Sequence, residues 1–266
     1  MQIEEYSPNI EKLANHLASA MEKGEGVQPV TVLHPDLSVD DAYQIQLYTI
    51  EKNVKSGRHI TGKKIGLTSK AMQDLLGVGE PDYGHLLDNM QIENGGVISF
   101  KHVLQPKVEG EIAFILKDDL VGPNVTTMDV LAATEAVVPA LEIVDSRIKN
   151  WKITLADTVA DNASSGLYVL GDQAVKPKDI DIKKVVMTLY KNNVLQNTGV
   201  GSAALGDPAN CVAWLANKLY SYGISLKAGE VILSGALSAA IEVKPGDTFC
   251  AKFSQLGEVC VSFEAV

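Results

Sequence analysis

Two glutamates interrupt an apolar run in the segment VEGEIAFIL, residues 108–116. Glu109 and Glu111 are two positions apart, and side chains at this spacing project from the same face of a β-strand. Neighbouring carboxylates in apolar surroundings repel each other and lose hydration, so both charges are unfavourable there. A divalent cation held by both would remove the repulsion. A solvated face of an edge strand is the alternative that the pattern leaves open.

A third acidic residue lies inside another apolar run, VVPALEIVDSRI. Glu142 could complete a set of three oxygen ligands if the two strands were adjacent. Such a set, without His or Cys, favours Mg²⁺ or Mn²⁺ over zinc. It would also leave coordination positions for water and a chelating substrate. Asp145 and Arg147 follow at the end of the run, and we expect these two to pair with each other.

Adjacent lysines form the next candidate, in the segment TGKKIGLTS. On a strand, one of Lys63 and Lys64 would point inward and the other outward. A lysine near a cationic metal or in an apolar pocket has a lowered pKa and can transfer protons or bind anions. Two solvated lysines are the alternative.

Polar side chains in three loops could contact a substrate. Asp82 lies in EPDYG, Ser164 and Ser165 lie in VADNASSG, and Ser234 follows a strand-like run in ILSGAL. Each segment is also an ordinary turn whose polar groups could satisfy its own backbone. None of the three is specific alone.

The elements that must position these residues begin with helices. Ser7 is a predicted N-cap of a first helix that ends at Gly24, and Ser38 of a second that ends at Gly57. A strand and turn over HITGKKIGLTS follow, and then a short helix over SKAMQDLLG. The Gly and Pro residues of GEPDYGHLL predict a loop.

From about residue 97 the pattern becomes β-rich. Helices are predicted over 127–136 and 208–222. Strands outnumber helices without regular alternation, which favours an α+β fold rather than a doubly wound one. We expect an N-terminal helical region, residues 1–95, packed on a β-rich catalytic core, residues 96–266. The predicted strands are 97–100, 108–116, 137–144, 166–170, 183–190, 230–234, 247–253 and 258–264.

Composition excludes several classes of protein. The net charge of −10 argues against a nucleic-acid surface, which needs basic patches. No apolar run reaches the length of about 18 residues that indicates a membrane span. The polar, acidic start MQIEEYSPNIEKLANH is not typical of a signal peptide. The three scattered cysteines predict free thiols and a reducing cytoplasm rather than a disulfide framework.

Five segments together resemble a known family. The chain is similar to the 2-hydroxypenta-2,4-dienoate (2-oxopent-4-enoate) hydratases, which belong with the 4-oxalocrotonate decarboxylases in the fumarylacetoacetate hydrolase superfamily. The motifs occur in order over nearly the whole chain. They are GKKIGLTSKAMQDLLGVGEPDYG, PKVEGEIAFIL, PALEIVDSRIKNWK, DTVADNASSG and LKAGEVILSGAL.

The resemblance implies a mixed β-roll-like core, a homo-oligomer and a divalent ion, Mg²⁺ or Mn²⁺. It implies Glu109, Glu111 and Glu142 as metal ligands and Lys64 as the active-site lysine. A complex with a sister decarboxylase or hydratase is also implied. The implied reaction is hydration of 2-hydroxypenta-2,4-dienoate to 4-hydroxy-2-oxopentanoate in the meta-cleavage catabolism of aromatic compounds.

The two sister activities differ at a few positions. The hydratases resemble PDYG here, whereas the decarboxylases usually carry an apolar residue in place of Asp82. Trp151 and the Asp157–Thr158 pair also look hydratase-like, whereas ALSAAIEVKPGD looks closer to the decarboxylases. Adding water needs a group that positions or deprotonates it, which favours hydration and assigns that role to Asp82.

The remaining polar residues receive roles in the same scheme. We expect Lys64 to neutralise the substrate C2 oxygen or to move a proton. Ser164, Ser165 and Ser234 are expected to bind carboxylate oxygens. Two alternatives stay open: a 4-oxalocrotonate decarboxylase, and a non-catalytic oxo-acid-binding subunit of a partner enzyme.

Overall fold

Helices cover much of the N-terminal quarter. The structure, a computed structural model, describes residues 6–70, 73–74 and 77–265. Ser7 and Ser38 cap the first and third helices as predicted, and Gly24 in a left-handed conformation ends the first. The helices described are α1 (Pro8–Lys23), α2 (Val30–Leu33), α3 (Val39–Lys55), α4 (Thr127–Ala133), α5 (Leu155–Ala160) and α6 (Pro208–Tyr220).

Strands form two sheets within the described residues. The eight-stranded sheet has the order β2-β1-β10-β5-β6-β7-β3, with β11 also pairing with β5, and the five-stranded sheet has the order β4-β13-β12-β8-β9. The strands are β1 (Ile60–Gly66), β2 (Asp82–Leu87), β3 (Gln91–Ile92), β4 (Val97–Ile98), β5 (Lys107–Leu116), β6 (Thr134–Val144), β7 (Ser165–Leu170), β8 (Val186–Lys191), β9 (Val194–Val200), β10 (Val231–Leu233), β11 (Ile241–Glu242), β12 (Thr248–Phe253) and β13 (Gly257–Phe263).

Register places the candidate residues on one face of the eight-stranded sheet. Glu109 on β5 lies directly opposite Glu142 on β6. Asp82 on β2 lies opposite Gly66 on β1, two residues from Lys64 on the same face. The segment that follows β10 runs beside β5, where Leu237 N–H donates to the Gly110 carbonyl. Strands β2, β1, β5 and β6 therefore carry the site, with β10 between β1 and β5.

The predicted α+β class is confirmed, with differences at particular elements. GEPDYGHLL is not a loop, because residues 82–87 form β2, whose side chains are buried throughout. The helix predicted over 127–136 ends at Ala133, and β6 begins at the next residue. Strand β9 had no prediction, since its sequence VLQNTGV is mostly exposed and lacks a regular apolar alternation. The helix predicted over SKAMQDLLG lies partly outside the described residues.

Cysteine pairing corrects the prediction of three free thiols. Cys250 and Cys260 lie opposite each other on β12 and β13 and form a disulfide bond, whereas Cys211 is free and buried. Cross-strand contact between residues ten positions apart depends on the hairpin register, which cysteine spacing alone does not reveal.

The N-terminal region and the core share one sheet. Strands β1 and β2 precede residue 95, yet β1 pairs with β10 from the C-terminal half, so the sheet crosses the division expected at 95/96. Helices α1 and α3 pack on the apolar core of this sheet through residues such as Leu13, Leu17 and Ile45. Among the described helices, none has the length and apolar character needed to cross a bilayer.

Candidate active site

Three glutamates meet on the sheet surface. One carboxylate oxygen each from Glu109, Glu111 and Glu142 lies within 4.8 Å of the other two. Glu111 and Glu142 are fully buried, and Glu109 is partly exposed. The carboxylates therefore share one face of β5 and β6, as the strand period predicts, and the solvated-edge alternative is wrong.

Two buried oxygens of this cluster accept no hydrogen bond from the described part of the chain, Glu111 Oε1 and Glu142 Oε2. Glu142 Oε1 faces the Lys64 ammonium at 3.2 Å, and Glu111 Oε2 accepts the Gly235 N–H at 2.8 Å. Buried carboxylate oxygens without donors fit a hard divalent cation, which takes oxygen ligands and supplies the missing positive charge. The donor set and the unsatisfied oxygens therefore fit a metal site.

The carboxyl groups bind protons more tightly than usual. Burial, and then the nearby Glu142, raise the pKa of Glu109 to about 7. Burial also raises the pKa of Glu111, with Glu142 and Glu109 adding to the effect. For Glu142 burial again raises the pKa, although Lys64 opposes it. In the absence of a cation, like charge and burial thus favour protonated carboxyls.

Lys64 lies at the edge of the cluster. Its Nζ is 3.2 Å from Glu142 Oε1 and donates a 3.1 Å hydrogen bond to the Ala163 carbonyl. Burial disfavours the ammonium, but the carboxylates outweigh it, so the pKa of Lys64 is raised above its ordinary value. Four carboxylates act on this group, and the lowered pKa expected for a lysine beside a cationic metal stays a prediction for the metal-bound protein.

Asp82 is buried opposite Gly66 on the neighbouring strand. A Cβ atom at Gly66 would collide with Asp82 Oδ1 and lie 3.3 Å from Lys64 Nζ, so the missing side chain makes room for both groups. Asp82 Oδ1 has no hydrogen-bond partner among the described residues. Burial raises the pKa of Asp82, and Lys64 partly opposes the shift. Asp82 is thus a carboxyl group poised to exchange a proton or hold a water.

The three predicted substrate-binding serines differ in their contacts. Ser165 Oγ is buried and has no hydrogen-bond partner in the described chain. Ser164 Oγ donates to Asp161 Oδ2 at 3.3 Å, and Ser234 Oγ donates to the Ile112 carbonyl at 2.7 Å. Ser165 is therefore the serine whose hydroxyl proton is available to a ligand, whereas the other two already donate within the fold.

Two sequence interpretations of charged residues are wrong. Lys63 is not solvated but buried, and its Nζ donates to both carboxylate oxygens of Glu230 at 2.6 and 2.7 Å. Arg147 forms its ion pair with Asp161 rather than with Asp145. The Asp145 carboxylate instead accepts hydrogen bonds from the N–H groups of residues 104 and 105. Both partners come from segments distant in sequence, so local spacing could not identify them.

Some residues that shape the site gave no signal in the sequence. Ala163 acts through its carbonyl and Gly235 through its N–H, and backbone groups carry no residue-type signature. Asn162 binds the main chain of His85, in a motif that the sequence presented only as a polar loop.

The chain is similar to a known family and to several known proteins. Residues 80–264 match the family model described as fumarylacetoacetate (FAA) hydrolase C-terminal. A 2-hydroxypent-2,4-dienoate hydratase of Pseudomonas putida is 54% identical over 217 residues, which is 81% of this chain and 98% of the relative. A 2-hydroxyhexa-2,4-dienoate hydratase of Comamonas testosteroni is 47% identical over 256 residues, 96% of this chain and 97% of the relative.

One solved structure is similar over nearly the whole chain. The 4-oxalocrotonate decarboxylase from Pseudomonas putida G7, complexed with magnesium and adipate, superposes with a TM-score of 0.93 at 34% identity. The match covers 98% of this chain and 100% of the decarboxylase.

Proposed function

Because this chain belongs to the fumarylacetoacetate hydrolase family, we propose that it is a metal-dependent hydratase. Its substrate is 2-hydroxypenta-2,4-dienoate (2-oxopent-4-enoate), and its product is 4-hydroxy-2-oxopentanoate, in the meta-cleavage catabolism of aromatic compounds. The observation that carries the proposal is the buried Asp82 carboxyl beside Lys64 and the three-glutamate cluster. Identity of 54% to a named hydratase supports the same reaction.

Glu109, Glu111 and Glu142 would hold the ion, and Mg²⁺ or Mn²⁺ fits their oxygen donors. When bound, such an ion supplies Lewis acidity that polarises oxygens of a chelating oxo acid. The 4-oxalocrotonate decarboxylase with magnesium supports a divalent ion in this fold.

Lys64 supplies positive charge next to the ion site. Its ammonium has three N–H donors, and Glu142 and Ala163 occupy two directions in the structure. The third can donate to a substrate oxygen that becomes negative during the reaction. The nearby carboxylates raise the pKa of Lys64, which favours the ammonium form as the donor to this oxygen.

Asp82 and Ser165 complete the set of polar groups. A carboxyl with a raised pKa can hold a water through one oxygen and accept or return its proton through the other. A positioned acid or base of this kind contributes roughly 10²–10⁴-fold to a rate. Ser165, with its free hydroxyl, would donate to a carboxylate oxygen of the substrate.

The test uses purified protein stripped of metal by a chelator, and freshly generated 2-hydroxypenta-2,4-dienoate. Loss of the conjugated diene absorbance is followed with and without added Mg²⁺ or Mn²⁺, and the product is weighed by mass spectrometry. We expect a metal-dependent product heavier by one water. A protein that leaves the dienoate unchanged with either ion is not this hydratase.

A second candidate, 4-oxalocrotonate decarboxylase, is favoured by one observation, the TM-score of 0.93 to that enzyme. Release of CO₂ from 4-oxalocrotonate, without hydration of the dienoate, would select it. The Asp82→Asn variant separates the candidates further, since hydration should lose much of its rate whereas loss of CO₂ needs no water-positioning carboxyl.

A further inference from the structure

Three consecutive residues beside Lys64 adopt an unusual backbone conformation. Asn162, Ala163 and Ser164 have φ values of 56°, 51° and 51°, all in the left-handed region. None is glycine, and a residue with a Cβ atom is strained in this conformation, with Asn the most tolerant. Such a turn persists only where the surrounding structure holds it in place.

Asn162 holds one side of the turn. Its side-chain amide accepts from the His85 N–H at 2.8 Å and donates to the His85 carbonyl at 2.9 Å, so it binds strand β2 at two points. Gly84 allows this approach, because a Cβ atom there would collide with the Asn162 carbonyl and lie 2.7 Å from Ser165 Oγ. The clamp therefore ties the turn to the strand that carries Asp82.

Arg147 holds the other side. Its guanidinium pairs with Asp161, the residue before the turn, and donates to the Ser165 carbonyl at 2.6 Å, just after it. The Ser164 carbonyl accepts from the Asp145 N–H at 2.8 Å. Both ends of the left-handed segment are thus fixed to the residues that directly follow β6.

The middle of this turn points its carbonyl at Lys64. Ala163 accepts the 3.1 Å hydrogen bond from Lys64 Nζ, which also lies 3.2 Å from Glu142 Oε1. A divalent cation and this ammonium are attracted to the same carboxylates. Without a fixed acceptor, the flexible lysine side chain could move between Glu109 and Glu111 and occupy the place of the ion.

We propose that Asn162 is a positioning residue. By clamping the left-handed turn to His85, it fixes the Ala163 carbonyl on Lys64 Nζ and keeps the ammonium at the edge of the three-glutamate cluster. This inference deepens the proposed function, and it rests on that function only for its kinetic consequence. The structural consequence, less competition between lysine and metal, is independent of any substrate.

Asn192 provides a matched control. It also has a left-handed φ, 52°, and also makes two hydrogen bonds to a neighbouring segment, accepting from Thr248 N–H at 2.9 Å at the start of β12 and donating to Asp247 Oδ1 at 2.8 Å just before it. It lies in the turn between β8 and β9 of the other sheet. Asn192→Ala and Asn162→Ala therefore remove the same kind of clamp, at a distant place and at the site.

The experiment compares both variants with the wild type. Mn²⁺ binding to the chelator-stripped proteins is measured by titration calorimetry, and kcat and KM are measured with the dienoate. We expect Asn162→Ala to weaken Mn²⁺ binding and to lower kcat roughly 10²-fold, the effect of a misplaced catalytic group, with a smaller change in KM. Asn192→Ala should change neither. Equal effects of the two variants would overturn the positioning role.

Asn162→Gly covers the possibility that the alanine variant unfolds. Glycine adopts left-handed φ freely, so the turn keeps its conformation without strain, but the amide clamp is gone. We expect the same loss in Mn²⁺ affinity and kcat as for alanine, and unchanged values would overturn the proposal. If the wild type binds Mn²⁺ but hydrates no dienoate, the proposed function fails, and the Mn²⁺ titrations still decide the role of Asn162.

Discussion

Opposite faces of strand β1 carry two adjacent buried lysines in contrasting surroundings. On one face, Lys63 meets the carboxylate of Glu230 at 2.6 and 2.7 Å, and Glu230 also accepts the Lys227 N–H at 3.0 Å. On the other face, Lys64 is under the influence of four carboxylates, which belong to Asp82, Glu109, Glu111 and Glu142. The face with Lys63 is balanced, because one ammonium meets one carboxylate. The face with Lys64 is unbalanced, because four carboxylates surround one ammonium.

The difference distinguishes a structural ion pair from a binding site. Burial lowers the pKa of Lys63, and it lowers that of the neighbouring His85 to about 3, so this face holds little charge beyond one pair. Around Lys64 the excess of carboxylates instead leaves oxygens of Glu111 and Glu142 without donors. A fold tolerates such an excess only if a cation or protons complete it.

The largest effect is expected from a substitution in the three-glutamate cluster, on the unbalanced face. Glu109→Gln removes one oxygen ligand and one charge, and we expect metal-dependent hydration to fall about 10³-fold, since bound metal supplies several kcal/mol of charge stabilisation. The metal-free variant should unfold at the same or higher denaturant concentration than the wild type, because repulsion among buried carboxyls decreases. Steady-state rates with saturating Mg²⁺ and urea unfolding measure the two effects.

Glu135→Gln is the control, because Glu135 is exposed on β6, the strand that carries Glu142. It should leave the rate unchanged. Wild-type turnover by Glu109→Gln with metal present would remove Glu109 from the metal site.

On the balanced face, a substitution of Lys63 should lower stability rather than activity. Lys63→Met leaves the Glu230 carboxylate buried without a cation, which should lower the free energy of unfolding by about 3–5 kcal/mol. Added Mg²⁺ should not restore it, since Glu230 and the three-glutamate cluster lie on opposite sides of β1. Urea unfolding with and without Mg²⁺ measures both statements.

The double variant Lys63→Met with Glu230→Gln serves as the control. It removes the orphaned charge and keeps an acceptor for the Lys227 N–H, so most of the stability should return. Recovery of the single variant by Mg²⁺ alone would show that the two faces are not separate.

The sequence predicted one face better than the other. The i, i+2 spacing of Glu109 and Glu111 predicts a shared face on a strand, and the sequence pattern offered Glu142, the two lysines and Asp82 as further candidates. The resemblance to known hydratases supported Glu142 and selected Lys64 and Asp82. The structure brings these residues together. The partner of Lys63 could not be predicted, because Glu230 is 167 positions away and reaches it only through the parallel pairing of β1 with β10.

Elements with strong local signals were also predicted better. The caps at Ser7 and Ser38 and the apolar run of β5 are local, and the structure shows them. Strand β2 was missed, because Gly79, Pro81 and Gly84 are typical of loops, yet Gly84 is there to let the Asn162 turn approach. Such a glycine is required where two segments distant in sequence pack closely, and a single sequence does not show that contact.

The stabilisation of the folded protein by bound metal should also distinguish the two faces. An ion that binds only the folded protein raises the free energy of unfolding by about 2.7 kcal/mol at a concentration one hundred times its Kd. We therefore expect Mn²⁺ to stabilise the wild type by this amount and Lys63→Met equally, but Glu109→Gln far less. Denaturant midpoints over a Mn²⁺ series measure it, and equal stabilisation of all three proteins would contradict the three-glutamate site.

The smallest expected effect concerns pH: the stability of the folded protein should depend on pH differently with and without bound metal. Since the pKa of Glu109 is raised from 4.5 to about 7, the folded metal-free protein binds more protons than the unfolded chain between these pH values. Its stability should therefore fall as pH rises through that window.

Bound metal should cancel this trend, because the ion displaces the same protons and the folded state then binds no more protons than the unfolded chain. If one proton is displaced, Mn²⁺ affinity should rise about tenfold per pH unit below the pKa of Glu109 and level off above it. Calorimetric titrations from about pH 5.5 to 8 measure the slope, in two buffers of different ionisation enthalpy to count the protons released. The Lys63→Met variant should keep this slope, because its lost charge is on the other face of β1. A flat profile in the wild type would mean that the glutamates are ionised before the ion arrives, and that Lys64 alone balances them.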